Sequence, residues 1–134
     1  MWSWNNCTIT KYDFSKDGKT ILDMEDDAAH VHLGQKWRIP TVEEFNELKE
    51  KCKLEFVEYY WTSGYVFTGP NGNSIFLECE NIFLSPDVCA RYATNSISKE
   101  EPQYANTVSL DPMDGMFPML VERNEAFVIR PVRD

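Results

Sequence analysis

Positive charge is scarce in this sequence. Thirteen Lys and Arg residues stand against 22 Asp and Glu residues, which gives a formal net charge of -9 over 134 residues. Binding to a nucleic-acid backbone needs clustered Lys and Arg, so the composition argues against a nucleic-acid partner. No apolar run approaches the roughly 20 residues of a membrane span, and we expect no membrane insertion within this chain. Hydrophobic residues still make up 43% of the chain, which is typical of a globular protein.

Cysteine pairs with metal-binding spacing are also missing. The four cysteines are Cys7, Cys52, Cys79 and Cys89, and none of them forms a Cys-x-x-Cys motif. This spacing argues against zinc sites and thioredoxin-like redox sites. Three disulfide pairings are formally possible, and buried free thiols are the alternative. The sequence leaves the oxidation state and the pairing open.

Histidine is limited to His30 and His32. Both lie in a predicted helix, where residues two apart point about 200° away from each other, so one metal ion cannot take both. A Ser-His-Asp triad therefore has few candidates. We expect no catalytic residues, no cofactor, no structural zinc and no metal requirement for folding. Calcium stays open, because Asp111 and Asp114 share one predicted turn and could recruit carbonyl oxygens.

The pattern along the chain predicts one domain over residues 1–134, with an irregular segment over residues 1–22. Met1-Trp2-Ser3-Trp4-Asn5 has neither a basic start nor an apolar core, so no signal peptide is expected here. Turn residues and hydrophobic periodicity predict these further elements: a helix from Asp23 to Leu33 ended by Gly34, a helix from Thr41 to about Lys51, β structure over 59–79 with hairpin strands Tyr65–Thr68 and Ser74–Leu77, a long loop from Glu78 to Gln103 with a short strand at Cys89–Thr94, strands Tyr104–Leu110 and Phe117–Glu122, and a closing strand Ala126–Val132.

The strongest local signal lies where an extended segment turns into the second helix. Pro40 keeps Arg38 and Ile39 extended before it. Thr41 is a favourable N-cap, and Glu44 three residues later completes a capping box. These residues predict a helix start at this point.

Four side chains around this helix start and the closing strand are predicted to be structural. Trp37 and Phe45 are expected in the core. Arg38 and Arg130 each sit between apolar neighbours and beside a proline, where a guanidinium needs carboxylate or carbonyl partners. We therefore expect both arginines to hold the fold near the closing strand.

Several stretches resemble the Fibrobacter succinogenes major-paralogous-domain family of bacterial surface and secreted proteins. The stretches that carry the resemblance are Asp26–Ala29, Leu33–Thr41, Glu43–Phe45, Gly69–Leu77 and Val128–Arg133. The helix region with Arg38-Ile39-Pro40-Thr41 is also similar to the formylglycine-generating-enzyme family. The resemblance implies an α+β, C-type-lectin-like fold, in which two helices flank twisted, mostly antiparallel sheets with a long loop excursion. It also implies an extracytoplasmic or cell-surface location.

The resemblance further implies a non-enzymatic recognition module with a protein or carbohydrate ligand. Formylglycine-generating enzymes use a close pair of cysteines, whereas Cys79 and Cys89 are ten residues apart. A divergent enzyme of that type, or an accessory structural domain without its own ligand, are the alternatives. The cysteine spacing favours the non-enzymatic recognition module.

The predicted binding face lies in the loop-rich stretch and comprises Tyr92, Asn95, Tyr104 and Asn106. Tyrosine offers a large ring with a polar tip, and asparagine adapts its hydrogen bonds, which is the chemistry that binding loops favour. We expect these side chains to line one exposed face. The alternative is that Tyr104 packs as an ordinary strand residue.

Overall fold

The protein combines short helices with three antiparallel sheets. The computed structural model describes residues 9–60, 62–79, 90–125 and 127–134. The described helices lie in the first half of the chain: α1 (Phe14–Asp17), α2 (Ala28–Leu33) and α3 (Val42–Lys51), with a 3-10 turn at Met24–Asp26. The described strands are β1 (Trp37–Arg38), β2 (Lys53–Glu58), β3 (Ser63–Thr68), β4 (Ser74–Glu78), β5 (Ala90–Ile97), β6 (Tyr104–Asp111), β7 (Gly115–Glu122) and β8 (Val132–Arg133).

The strands pair only with antiparallel neighbours in the named sheets. Sheet order is β2-β3-β4 in the first sheet and β5-β6-β7 in the second, while β1 pairs with β8. The predicted α+β class is confirmed. The predicted hairpin is the β3–β4 pair, and the predicted turn from Asp111 to Gly115 joins β6 to β7. None of the described helices has the length and hydrophobicity that a membrane crossing requires.

Helix α3 begins at the predicted residue for the predicted reason. The Thr41 hydroxyl accepts a hydrogen bond from the Glu44 N–H at 3.0 Å, and the Glu44 carboxylate accepts one from the Thr41 N–H at 3.0 Å. The helix ends at Cys52, whose backbone is extended and leads directly into β2. Strand β2 was not predicted, although Leu54 and Phe56 alternate with charged residues as an edge strand requires.

The two larger sheets and α3 share one core. Its buried members come from all three elements and the residues that follow them: Phe45, Tyr65, Phe67, Leu77, Cys79, Tyr92, Val108, Leu110 and Met116. The prediction that Phe45 is a core residue is confirmed, because only 4% of its surface is exposed. Successive strand residues point to opposite faces, so Ala93 lies on the other side of the second sheet from Tyr92. There Ala93 packs with Ala29 and Ile39, and this sheet is covered on both faces.

The prediction of one long loop over residues 78–103 is wrong for the part that the structure describes. Residues 90–97 form β5, an eight-residue strand, and the predicted short strand at Cys89–Thr94 is therefore too short. The full length of the strand was not predicted, because side chains on both of its faces are buried and polarity does not alternate along it. Residues 80–89 of the predicted loop lie outside the described residues.

Two other predicted elements are interrupted. The helix expected from Asp23 to Leu33 is split at Asp27, whose extended backbone separates the 3-10 turn from α2. The expected closing strand is reduced to a parallel bridge between Val128 and Tyr92 and to the two residues of β8. Within the irregular N-terminal segment, residues 14–17 form α1, which Gly18 ends with a left-handed backbone.

The prediction that Trp37 is a core residue is wrong. Trp37 lies in the two-residue strand β1, opposite Arg133 of β8, and it is only half-buried. It belongs to none of the described core clusters. A two-stranded sheet of this length has too few neighbours to enclose an indole. The adjacent Ile39 is the buried residue of this segment, at 4% exposure.

The capping box at α3 predicts a graded loss of stability. Thr41→Ala removes the hydroxyl that accepts the Glu44 N–H, and we expect the free energy of unfolding to fall by about 0.5–2 kcal/mol. Thr41→Ser keeps the acceptor and should remain close to the parent. Urea denaturation of the three proteins measures the difference, and equal stabilities of the Ala and Ser variants would contradict this role of Thr41.

Candidate functional site

Tyr92 is a core residue and not part of an exposed face. It is 3% exposed, its hydroxyl donates to the Glu78 carbonyl at 2.7 Å, and its ring centroid lies 6.3 Å from that of Phe45. Burial raises the pKa of Tyr92 to about 12. The prediction that Tyr92 belongs to an exposed binding face is therefore wrong. Tyr92 lies within the predicted short strand, on the side of β5 that packs into the core.

Asn95 and Tyr104 are half-buried and have structural backbone contacts. The Asn95 N–H donates to the Pro40 carbonyl at 3.0 Å, and its carbonyl accepts from the Leu22 N–H at 2.8 Å. The Tyr104 N–H donates to the Glu101 carbonyl at 2.9 Å at the start of β6. Their roles in ligand binding remain predictions, but the four chosen residues do not form one exposed patch.

Asn106 lines an inner cavity of about 380 Å³ between the second sheet and the segments around Tyr12 and Phe127. Its side-chain amide donates to the Ser96 hydroxyl at 2.8 Å, and its carbonyl accepts from the Thr94 hydroxyl at 2.6 Å. The rest of the lining is mainly apolar. The polar groups named here already bond to each other, so they leave little capacity for a ligand.

Arg123 closes one side of this inner cavity. Its guanidinium donates to the Pro102 carbonyl at 3.0 Å and to the Lys11 carbonyl at 2.9 Å. Burial lowers the pKa of Arg123, because the charged form loses hydration. This arginine ties the N-terminal segment to the turn before β6, which is a structural role.

The acidic side chains before α2 surround a lysine. Lys11 Nζ lies 2.8 Å from Asp23, 3.0 Å from Glu25 and 2.5 Å from Asp26. The three carboxylates are the one described group with spacing suited to a metal ion. Lys11 holds the pKa of both Asp23 and Asp26 below their usual range. The cluster is thus an internal ion-pair network built around an ammonium group.

The sequence left calcium binding open at the turn that contains Asp111 and Asp114. In the structure, the Asp111 carboxylate caps the backbone of this turn. One Asp111 oxygen accepts the Met113 N–H at 2.7 Å and the Asp114 N–H at 3.1 Å. Such bonds are the ordinary way in which aspartate stabilises a turn. The turn therefore has a structural reason for its aspartate.

A groove of about 570 Å³ lies between α3 and β4, and we name it the α3–β4 groove. Its floor is apolar and comes from separate parts of the chain, with Leu48 on α3, Ile75 and Leu77 on β4, and Val132 on β8. The turn before β4 closes one end. Ile75 is 40% exposed, so the floor is open to solvent.

Charged side chains form the rim of the groove. Glu47 pairs with Lys51 at 2.8 Å, and this pairing raises the pKa of Lys51. Glu44 is held by Arg38 at 2.5 Å, and this contact lowers the pKa of Glu44. Arg130 is exposed and has no ion pair with a carboxylate among the described residues. Among the described residues, Arg130 is thus the rim cation that no carboxylate pairs.

The two predicted structural arginines therefore differ. Arg38 has the carboxylate partners expected of it, because Nε donates to Asp134 at 3.0 Å and the terminal nitrogens contact Glu44. Arg130 has no such partner in the described part of the chain, and the expectation of a structural guanidinium there stays a prediction.

Cys52 is the thiol of the groove. It lines the end near Gly69 and is partly exposed, whereas Cys79 is buried in the core. Cys52 is a free cysteine. Cys7 and Cys89 lie outside the described residues. The sequence analysis did not single out this groove, because its residues come from α3, the hairpin and the chain end.

The ion pair between Arg38 and Glu44 predicts a pH-dependent loss of stability. The folded-state pKa of Glu44 lies below its ordinary 4.5, so the stabilisation is present above that value and is lost as pH falls through the lower folded pKa. Glu44→Gln keeps a capping side chain but removes the charge. We expect the difference in unfolding free energy between parent and variant to shrink as pH falls from about 6 to about 3.

Urea denaturation at each pH measures this difference. Glu43→Gln, on the exposed side of the same helical turn, is the matched control and should show a small difference throughout. A Glu44→Gln difference that stays constant down to the lowest pH would contradict the assigned ion pair.

Comparisons with family models, curated proteins and solved structures found no match to this chain. The family resemblance in the sequence therefore stays a prediction. What the protein does has to be argued from the α3–β4 groove.

Proposed function

We propose that this protein is a ligand-recognition module that acts by binding, and that its ligand occupies the α3–β4 groove. The observation that carries the proposal is the combination of an apolar floor with a rim arginine, Arg130, that pairs with no carboxylate of the described residues. The volume of about 570 Å³ falls within the roughly 300–1,000 Å³ of ligand pockets, which are mostly apolar and carry a few placed polar groups. The floor supplies affinity and the rim supplies orientation.

The groove side chains favour binding over catalysis. Nucleophilic catalysis needs a nucleophile beside a base. Cys52 is the one thiol among the described residues of the groove, and both histidines of the chain lie on α2, outside its lining. Glu44 and Glu47 are engaged with Arg38 and Lys51, so neither is positioned as a free base for that thiol.

The family resemblance extends the proposal to scaffold and location. We propose a C-type-lectin-like arrangement, supported by the mixed α+β structure and the antiparallel sheets. The same resemblance supports an extracytoplasmic or cell-surface site of action and a protein or carbohydrate partner. An accessory domain without a ligand and a divergent formylglycine-generating enzyme are the competing assignments.

A fragment titration tests whether the groove binds. The probe is a set of small aryl and alkyl carboxylic acids with their uncharged amides, added to the uniformly ¹⁵N-labelled protein. We expect amide shift changes to cluster on α3 and β4, around Leu48 and Ile75, and to be larger for the acids because Arg130 attracts the carboxylate.

Two matched variants locate the site. Ile75→Glu places a charge on the groove floor and should reduce the shift changes by about tenfold at a given fragment concentration. Leu120→Glu makes the same change at a similarly exposed strand position on β7 (48% against 40%) and should have no effect. Shift changes that persist in Ile75→Glu, or that cluster at the inner cavity, would contradict the proposal. A complete lack of binding would favour an accessory domain.

A further inference from the structure

The alternation of hydrogen bonds between β3 and β4 shows which backbone groups of β4 point away from β3. The Cys79 N–H donates to the Ser63 carbonyl at 2.8 Å, and the Gly69 N–H donates to the Asn73 carbonyl at 2.9 Å. Hydrogen-bonded pairs alternate with non-bonded pairs in an antiparallel ladder. Residues 75 and 77 therefore bond to β3, and residues 74, 76 and 78 turn their N–H and C=O groups away from it.

The outer edge of β4 is open over most of its length. The Glu78 carbonyl accepts the Tyr92 hydroxyl at 2.7 Å, which agrees with the outward direction assigned to residue 78. Ser74 and Phe76 make no comparable backbone bond within the described part of the chain, and no described strand pairs with this side of the first sheet. Among the described residues, therefore, no backbone group occupies the outward N–H and C=O of these two residues.

Two of the other sheet edges, β2 and β7, carry features that discourage strand addition, and the segment from Ser74 to Leu77 does not. Pro118 interrupts the edge strand β7, and Lys53 and Glu55 place charges on β2. Proline and charged side chains are the usual means by which proteins block edge-to-edge pairing. The segment from Ser74 to Leu77 is uncharged and contains no proline. Its exposed backbone is therefore suited to accept another strand.

This edge borders the α3–β4 groove. Ile75 and Leu77 contribute their side chains to the floor while the backbone of Ser74 and Phe76 faces outward. A strand added to β4 would lie about 4.8 Å away and would direct alternate side chains towards the floor. Arg130 on the rim complements a carboxylate on such a strand, since the other rim charges are paired.

We propose that the groove takes an extended peptide segment of a partner protein, which adds as a strand to the edge of β4 and presents an acidic side chain to Arg130. This inference rests on the proposed function, because it names the class of ligand for the same groove. Backbone bonds to Ser74 and Phe76 supply a sequence-independent part of the affinity, and the floor and Arg130 supply selectivity for apolar and acidic residues.

The probe is a phage-displayed library of random heptapeptides selected on the intact chain, followed by synthesis of enriched peptides. We expect enriched peptides to combine β-branched or aromatic residues with Glu or Asp. N-methylation of single peptide bonds should lower affinity by about tenfold at alternate positions only, since those N–H groups face β4. Uniform sensitivity, or none, would overturn strand addition.

A double-mutant comparison tests the charge contact. Arg130→Gln should weaken binding of the acidic peptide about tenfold, and it should leave the Glu-to-Gln peptide unchanged. Arg133→Gln, an exposed arginine on β8 outside the groove lining, is the control and should not distinguish the two peptides. Equal losses for both peptides in Arg130→Gln would overturn the acidic contact.

The failures of the two proposals are distinguishable. Fragments that bind at Leu48 and Ile75 without any selected peptide binding there would overturn the peptide proposal and keep the groove as a small-molecule site. Peptides that bind equally well to the Ile75→Glu variant would overturn both. Self-association through β4 in sedimentation, abolished by Ile75→Glu, would identify a second copy as the occupant and would also overturn the partner peptide.

Discussion

The buried carboxylate of Asp27 is the contact on which the arrangement of the first half of the chain depends. Asp27 is 3% exposed, and its two oxygens accept hydrogen bonds from the His30 N–H at 3.0 Å and the Ile39 N–H at 2.9 Å. One side chain thus starts α2 and holds the extended segment that follows it. Losing this carboxylate leaves the buried Ile39 N–H without an acceptor, which costs about 1–3 kcal/mol. It also removes the N-cap of α2, which costs about 0.5–2 kcal/mol.

The Asp27 contact also helps to position α3, which forms one wall of the α3–β4 groove. Ile39, fixed by Asp27, packs with Ala29 and Ala93, and the next residue, Pro40, accepts the Asn95 N–H of β5 at 3.0 Å. Thr41 then begins α3. The contacts of Ile39 and Pro40 therefore fix the start of this helix relative to the second sheet, without the side chains of the helix itself. Phe45 completes the attachment from the core side of α3.

The parts of this fold that the sequence predicts are those decided by neighbouring residues. The capping box at Thr41 and the turn between Thr68 and Ser74 follow from side chains within a few positions, and both are present. The link from Asp27 to Ile39 could not be predicted in this way, because the two residues are twelve positions apart. Burial of Tyr92 and exposure of Arg130 depend on elements far along the chain, so local pattern could not assign them. The groove was missed for the same reason.

Asp27→Ala, measured by urea denaturation together with amide hydrogen exchange at Ile39, tests this account most directly. We predict that the free energy of unfolding falls by about 2–5 kcal/mol, because the buried Ile39 N–H and the half-buried His30 N–H both lose their acceptor. The Ile39 amide should exchange faster, and Asp27→Asn, which keeps one acceptor oxygen, should fall between the variant and the parent. An Asp27→Ala protein within about 0.5 kcal/mol of the parent, with Ile39 still protected, would contradict the account.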